Sequence, residues 1–88
     1  MYYVYVLQSL KKQDWFYKGS TNNLKRRVTQ HNIGECKSSA PYRPFRLVYY
    51  EAYVSESVVR KRESTLKKGG STWVPLRRRI IESLKNCY

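Results

Sequence analysis

Acidic residues are scarce in this chain. Six Asp and Glu stand against eighteen Lys and Arg over 88 residues, a formal net charge of +12. That balance argues against a general metabolic enzyme for small neutral substrates and points to a polyanionic partner, phosphate backbones first. Cysteine is scarce too: Cys36 and Cys87 lie far apart, without CxxC partners, beside a single His. A zinc site is disfavoured, and free thiols in a cytoplasmic protein are the expectation. No run of about 18 apolar residues is present to span a membrane. Met1 to Leu10 has no basic leading region and runs into Lys11-Lys12, so no secretory leader is expected. The length sets one domain, 1–88, burying roughly 60–70% of its unfolded surface, with no room for a large enclosed cofactor cavity. Aromatic residues are plentiful, at 15% with nine Tyr, which excludes a disordered basic tail.

The pattern predicts an α+β domain of order β-β-α-β-α-α, a small three-stranded antiparallel or mixed sheet flanked by helices. Met1–Leu7 is β-branched and aromatic and reads as a strand. Lys11–Asp14 reads as the hairpin connection and Asp14–Gly19 as its second strand. Asn22 or Asn23 is placed to cap a helix from Leu24 to Ile33, which Gly34 stops. Residues 35–44, with Pro41 and Pro44, read as a loop and Phe45–Tyr53 as the third strand. Ser55 caps a helix to Lys68, closed by Gly69-Gly70. Thr72 is placed to cap the last helix, which tolerates Pro75 in its first turn and ends near Lys85.

Several ionisable residues fall on inward faces. With Leu24 as origin and about 100° per residue, Val28 lies at about +40°, His31 at about −20° and Arg27 at about −60°. Lys25 and Arg26 face water. An Arg beside an apolar stripe often snorkels, and a lone His is often a hydrogen-bonded core residue; a role in anion chemistry is the competing reading. In the next helix Glu63 sits inward beside Val59 and Leu66, the one acid in a basic run. It is placed either for an i,i+4 ion pair with Lys67 or to hold a divalent cation. Alternation along the first strand puts Tyr3, Tyr5 and Leu7 on one face and Val4 and Val6 on the other. A hairpin brings Tyr5 near Tyr17. The remaining tyrosines, Tyr88 among them, read as packing bodies with a wet tip.

In this order the residues resemble the GIY-YIG nuclease superfamily, in particular its small stand-alone bacterial members, similar to the nuclease domain found in a bacterial excinuclease. The resemblance covers nearly the whole chain. Tyr3-Val4-Tyr5 stands at the first tripeptide and Tyr17-Lys18-Gly19 at the second, with Tyr3 in place of Gly and Lys18 in place of Ile. Gly19 to Val28, Gln30-His31-Asn32 and Gly34 follow the family's entry into its first helix. Arg43 to Glu51 resembles its third strand, and Arg62-Glu63 with Lys67 its second helix.

The resemblance implies hydrolysis of DNA phosphodiester bonds, with Tyr5, Tyr17, Arg27, His31 and Glu63 as the catalytic residues and one Mg²⁺ or Mn²⁺ on Glu63. The residue types suit the chemistry. Arg27 offers a fork that does not titrate to the charge gathering on the phosphoryl oxygens. A Glu63-bound cation stabilises the leaving oxygen. Nearby Arg27, His31 and the metal favour a phenolate that takes the proton of water, with Tyr5 the preferred base, Tyr17 the partner of metal-bound water or phosphate, and His31 orienting or relaying. Gly19 allows close backbone approach. Lys11, Lys12, Lys25, Arg26, Lys61, Lys67, Arg77, Arg78 and Arg79 are the candidates for phosphate contacts along DNA, with RNA a further partner. A monomer is the default and a homodimer the variant. The competing reading is a binding module that keeps the fold without catalysis.

Overall fold

The structure is a computed structural model that describes residues 1–85; Cys87 and Tyr88 lie outside the described residues. Its order is β1 (Tyr2–Ser9), β2 (Phe16–Thr21), α1 (Leu24–Asn32), β3 (Phe45–Tyr53), α2 (Glu56–Lys67) and α3 (Gly70–Lys85), with a short 3-10 turn at Ala40–Tyr42. The sheet runs β2-β1-β3 and both pairings are antiparallel. The expected α+β order is the observed one, with no parallel pair among the described strands. Among the described residues no helix is long and apolar enough to cross a membrane.

β1 is the central strand, and helices cover both of its faces. Val4 and Val6 pack with Val59 and Leu66 of α2 and Leu76 and Ile80 of α3. Tyr5 and Leu7 pack with Phe45, against Leu24 and Val28 of α1. The pairing register carries this division outward to β2. Gly19 and Tyr17 oppose Tyr5 and Leu7, while Ser20 and Lys18 oppose Val4 and Val6. Period-2 alternation therefore turns Tyr17 and Gly19 towards α1, and Ser20 and Lys18 towards α2.

Several boundaries differ from expectation, and β1 runs on to Ser9. β2 begins at Phe16 rather than Asp14, because Trp15 N–H closes on the Lys12 carbonyl and extends the turn. It ends at Thr21, since β1 is long enough to pair as far as Tyr3. α1 is capped by Asn23, whose side chain accepts from the Arg26 N–H, and it ends one residue before Ile33. Gly34 then takes a φ of +86°, a left-handed conformation that glycine adopts without strain. α3 starts at Gly70 rather than after Thr72, which places Pro75 in its second turn. The carbonyl four residues back loses its helical partner there, on an exposed side of the helix.

Candidate active site

Two groups of polar side chains arise from this layering. On the α1 face, one turn of helix separates Arg27 from His31, and both reach Tyr5. The Tyr5 hydroxyl lies 2.9 Å from His31 Nε2, and Arg27 Nε donates to it at 3.3 Å. His31 Nδ1 lies 2.8 Å from Ser39 Oγ. Tyr17 packs alongside, its ring centroid 4.6 Å from that of His31 and 6.2 Å from that of Tyr5. Tyr5, His31 and Ser39 have essentially no exposed surface, whereas Tyr17 and Arg27 are partly exposed.

Burial sets the charge states of this group. It pushes the Tyr5 phenol up to about 12, and the bond and charge of Arg27 only partly offset it. It also pushes His31 down to about 4, helped by the nearby guanidinium. Arg27 and His31 by themselves therefore do not bring Tyr5 to a phenolate: desolvation wins, and both Tyr5 and His31 are neutral at pH 7. The hydrogen bond to Tyr5 holds Arg27 more firmly protonated. Gly19 also differs in its surroundings. A β-carbon built there would lie 2.5 Å from the Tyr5 hydroxyl, so the group that approaches its backbone is Tyr5.

On the other face, α2 brings Glu63 to the edge of β2. Ser20 Oγ donates to Glu63 Oε1 at 2.5 Å, and Lys67 Nζ pairs with Oε2 at 2.8 Å. The Glu63 side chain is 20% exposed, so the carboxylate is turned inward. The Lys67 ammonium also lies 5.8 Å from the Tyr17 ring, and its bond to Glu63 raises its pKa.

The two groups meet around the end of β2. A hollow of about 570 Å³ there is lined by Arg27, Arg26 and Gln30 of α1, Ser20, Thr21 and Asn22 at the strand end, Glu56, Val59, Arg60 and Glu63 of α2, and Tyr2. It brings Arg27 and Glu63 together from opposite faces of the sheet. Tyr5, Tyr17 and His31 are not in its lining: the first and last are sealed beneath Arg27, and Tyr17 lies on the Lys67 side. The site is thus a hollow with a buried polar group behind it.

The basic candidates divide. Arg26 lines the hollow and Lys67 sits beside it, bonded to Glu63. Lys25 and Lys61 are exposed on α1 and α2, and Lys11 and Lys12 on the β1–β2 turn. Arg78 and Arg79 are exposed on α3, while Arg77 lies over the Phe16 ring, 5.4 Å from its centroid. Lys18 is directed to α2, donating to the Leu66 carbonyl at 3.2 Å and lying 4.2 Å over the Trp73 ring.

Sequence reasoning missed three features. Glu56 joins Glu63 in the hollow, a pairing that the two-turn spacing of i and i+7 on one helix face would signal. Ser39 lies in a segment that carries no periodic pattern. Glu51 of β3 grips Arg62 of α2 through two bonds of 2.9 and 2.8 Å. It also accepts from the Tyr53 hydroxyl at 2.7 Å and from Tyr49. Burial opposes the Glu51 charge, but the bonds from Arg62, Tyr49 and Tyr53 outweigh it and hold the carboxyl at about 2. This clamp fixes the residue immediately before Glu63.

Among the described residues no group of three or more His, Cys, Asp and Glu gathers into a metal cage. Within the hollow that also holds Glu56, Glu63 offers a carboxylate next to the Ser20 hydroxyl, with the Lys67 ammonium on its other oxygen. That donor set fits a hard cation of the Mg²⁺ type, which keeps most of its waters and takes phosphate oxygens as further ligands.

A strand hairpin, a helix bearing Arg and His towards it and a second helix bearing Glu to the strand edge define a nuclease-like domain. The model of the GIY-YIG catalytic domain matches residues 1–80, and the chain belongs to that family. Its relatives include UPF0213 proteins of Streptococcus pyogenes, 37% identical over 75% of this chain and 71% of theirs. One from Clostridium perfringens is 38% identical over 77% and 72%. The solution NMR structure of a UPF0213 protein from Bacillus halodurans matches with a TM-score of 0.50 at 29% identity, covering 97% of this chain and 86% of that one. Membership supports a nuclease-like function with nucleic acid as the partner, and nucleases of this family generally use divalent metal ions.

Proposed function

We propose that this chain is a divalent-cation-dependent endonuclease that hydrolyses phosphodiester bonds in DNA. The observation that carries the reading is the meeting of Arg27 and Glu63 in one hollow, from opposite faces of the sheet. Arg27 Nε is held by Tyr5 and Nη1 by Gln30, which leaves Nη2 without a partner among the described residues. That edge of the guanidinium stabilises the charge that builds on the phosphoryl oxygens during attack. Glu63, with Ser20 beside it, would hold one Mg²⁺ or Mn²⁺, which supplies positive charge for the scissile phosphate and the leaving 3′ oxygen. Tyr17 is the phenol with access to solvent and is assigned to the attacking water. Tyr5 and His31, buried and neutral, orient Arg27. The exposed Lys and Arg residues bind backbone phosphates without reading sequence.

A panel of duplex, branched and single-stranded DNA, with RNA counterparts, incubated with Mn²⁺ or Mg²⁺, tests the proposal. The wild type nicks DNA only with metal. Glu63→Gln and Arg27→Ala each reduce the rate by about 10²–10³-fold, as expected for loss of preorganised charge stabilisation. Metal-independent binding without cleavage, indifferent to Glu63→Gln, would instead identify a silent binding module.

A further inference from the structure

The polar chain behind the hollow has a direction, and one residue sets it. A guanidinium donates and never accepts, so in the 3.3 Å contact with Arg27 Nε the Tyr5 oxygen is the acceptor. Tyr5 is sealed from water, and its own hydrogen goes to its other partner, His31 Nε2. That nitrogen is therefore bare, and the ring proton sits on Nδ1, directed at Ser39 Oγ. Ser39 hands its hydrogen to the Cys36 carbonyl at 3.2 Å. In this polarity every donor and acceptor is matched. Reversed, Tyr5 would receive two hydrogens and have no place for its own, a buried unpaired donor costing about 1–3 kcal/mol.

We infer that Ser39 is a positioning residue: by accepting the Nδ1–H that this polarity imposes, it anchors the His31 ring and, through Tyr5, holds Arg27 Nε so that the rest of the guanidinium faces the hollow. Ser39 touches neither the hollow nor Arg27, and no other side chain is bonded to His31 Nδ1 among the described residues. The tautomer follows from hydrogen-bond matching alone. The consequence for cleavage rests on the proposed nuclease reading.

The chain has one His, so a long-range proton–nitrogen NMR correlation of the ¹⁵N-labelled, untagged protein reports His31 without overlap. At neutral pH the wild type should show a protonated Nδ1 and a bare Nε2, with the Arg27 Nε–H peak sharp and slow to exchange. Ser39→Thr keeps both signatures. Ser39→Ala keeps Nε2 bare but strips the Nδ1–H of its acceptor, which shifts and broadens the Nδ1–H resonance, and it broadens the Arg27 peak. A wild type protonated at Nε2, or a folded Ser39→Ala with an unchanged spectrum, overturns the inference; the wild-type spectrum alone decides if Ser39→Ala does not fold.

In the cleavage assay, Ser39→Ala should lower kcat by about ten-fold or more at unchanged KM, part of what positioned acid–base groups contribute, and Ser39→Thr should restore it. A Ser39→Ala protein with the altered Nδ1–H and Arg27 resonances and wild-type kcat overturns the positioning role. A wild type that cleaves nothing while showing the Nδ1–H tautomer sinks the nuclease reading and leaves the tautomer assignment standing.

Discussion

Replacing Glu51 by Gln should loosen the protein in a way that depends on pH. Glu51 is the buried end of a bidentate pair, its side chain 14% exposed and that of Arg62 31%. A carboxyl held at about 2 instead of 4.5 is worth about 3 kcal/mol of folding free energy at neutral pH. Arg62 keeps some contact with water, and the amide still accepts from the tyrosine hydroxyls, so about 2 kcal/mol is the expected loss. For a domain of this size that lowers Tm by about 10 °C. The sign of the pH dependence follows from the depressed folded value. The stabilisation is fully present above pH 4.5 and disappears as pH falls through about 2. Urea titrations of wild type and Glu51→Gln at pH 6, 4 and 2.5 should therefore give a gap in stability that narrows steadily with acidity. Other carboxylates cancel in the difference. A gap below about 0.5 kcal/mol at pH 6, the size of a surface ion pair, or one that holds constant down to pH 2.5, would refute the reasoning.

Further outcomes are expected. His31, held at about 4 against 6.5 when free, stabilises the fold above pH 6.5 and loses that contribution as pH falls towards 4; its ring protons should titrate with a midpoint near 4 and stay flat from pH 6 to 8 by NMR. Gly19→Ala thrusts a methyl against the Tyr5 hydroxyl and should cost about 1–3 kcal/mol in a denaturant melt, typical of overpacking, with displacement of the Arg27 and His31 resonances. Binding of the wild type to duplex DNA should weaken linearly with log salt, at about −0.9 per phosphate neutralised, and Lys25→Ala with Lys61→Ala should flatten the slope measured by fluorescence anisotropy. Lys67→Ala removes the cation bonded to Glu63, and calorimetry should detect tighter Mn²⁺ binding than in the wild type.

Much of the fold was legible because its signals are local. Strand alternation at Val4, Tyr5 and Val6 names both core faces, and capping residues Asn23 and Ser55 mark two helix starts. The inward placement of Arg27, His31 and Glu63 follows from helical phase alone. What escaped is set by tertiary geometry. The charge state of Tyr5 turns on how completely it is sealed, which no spacing encodes. Ser39 becomes a partner of His31 only because residues 35–44 fold back under α1. Glu51 and Arg62 are eleven residues apart on different elements, and their match depends on where α2 lies on the sheet.

The hollow is assembled like the jaws of a pair of pliers, with Arg27 on one side of the sheet, Glu63 on the other and the end of β2 as the pivot between them. The charge that attracts a polyanion, by contrast, lies in eighteen Lys and Arg side chains spread over the sequence and does not depend on that assembly. On the proposed reading the jaws close only when α1 and α2 are both docked on the sheet, so cleavage would demand the whole fold while charge attraction would not.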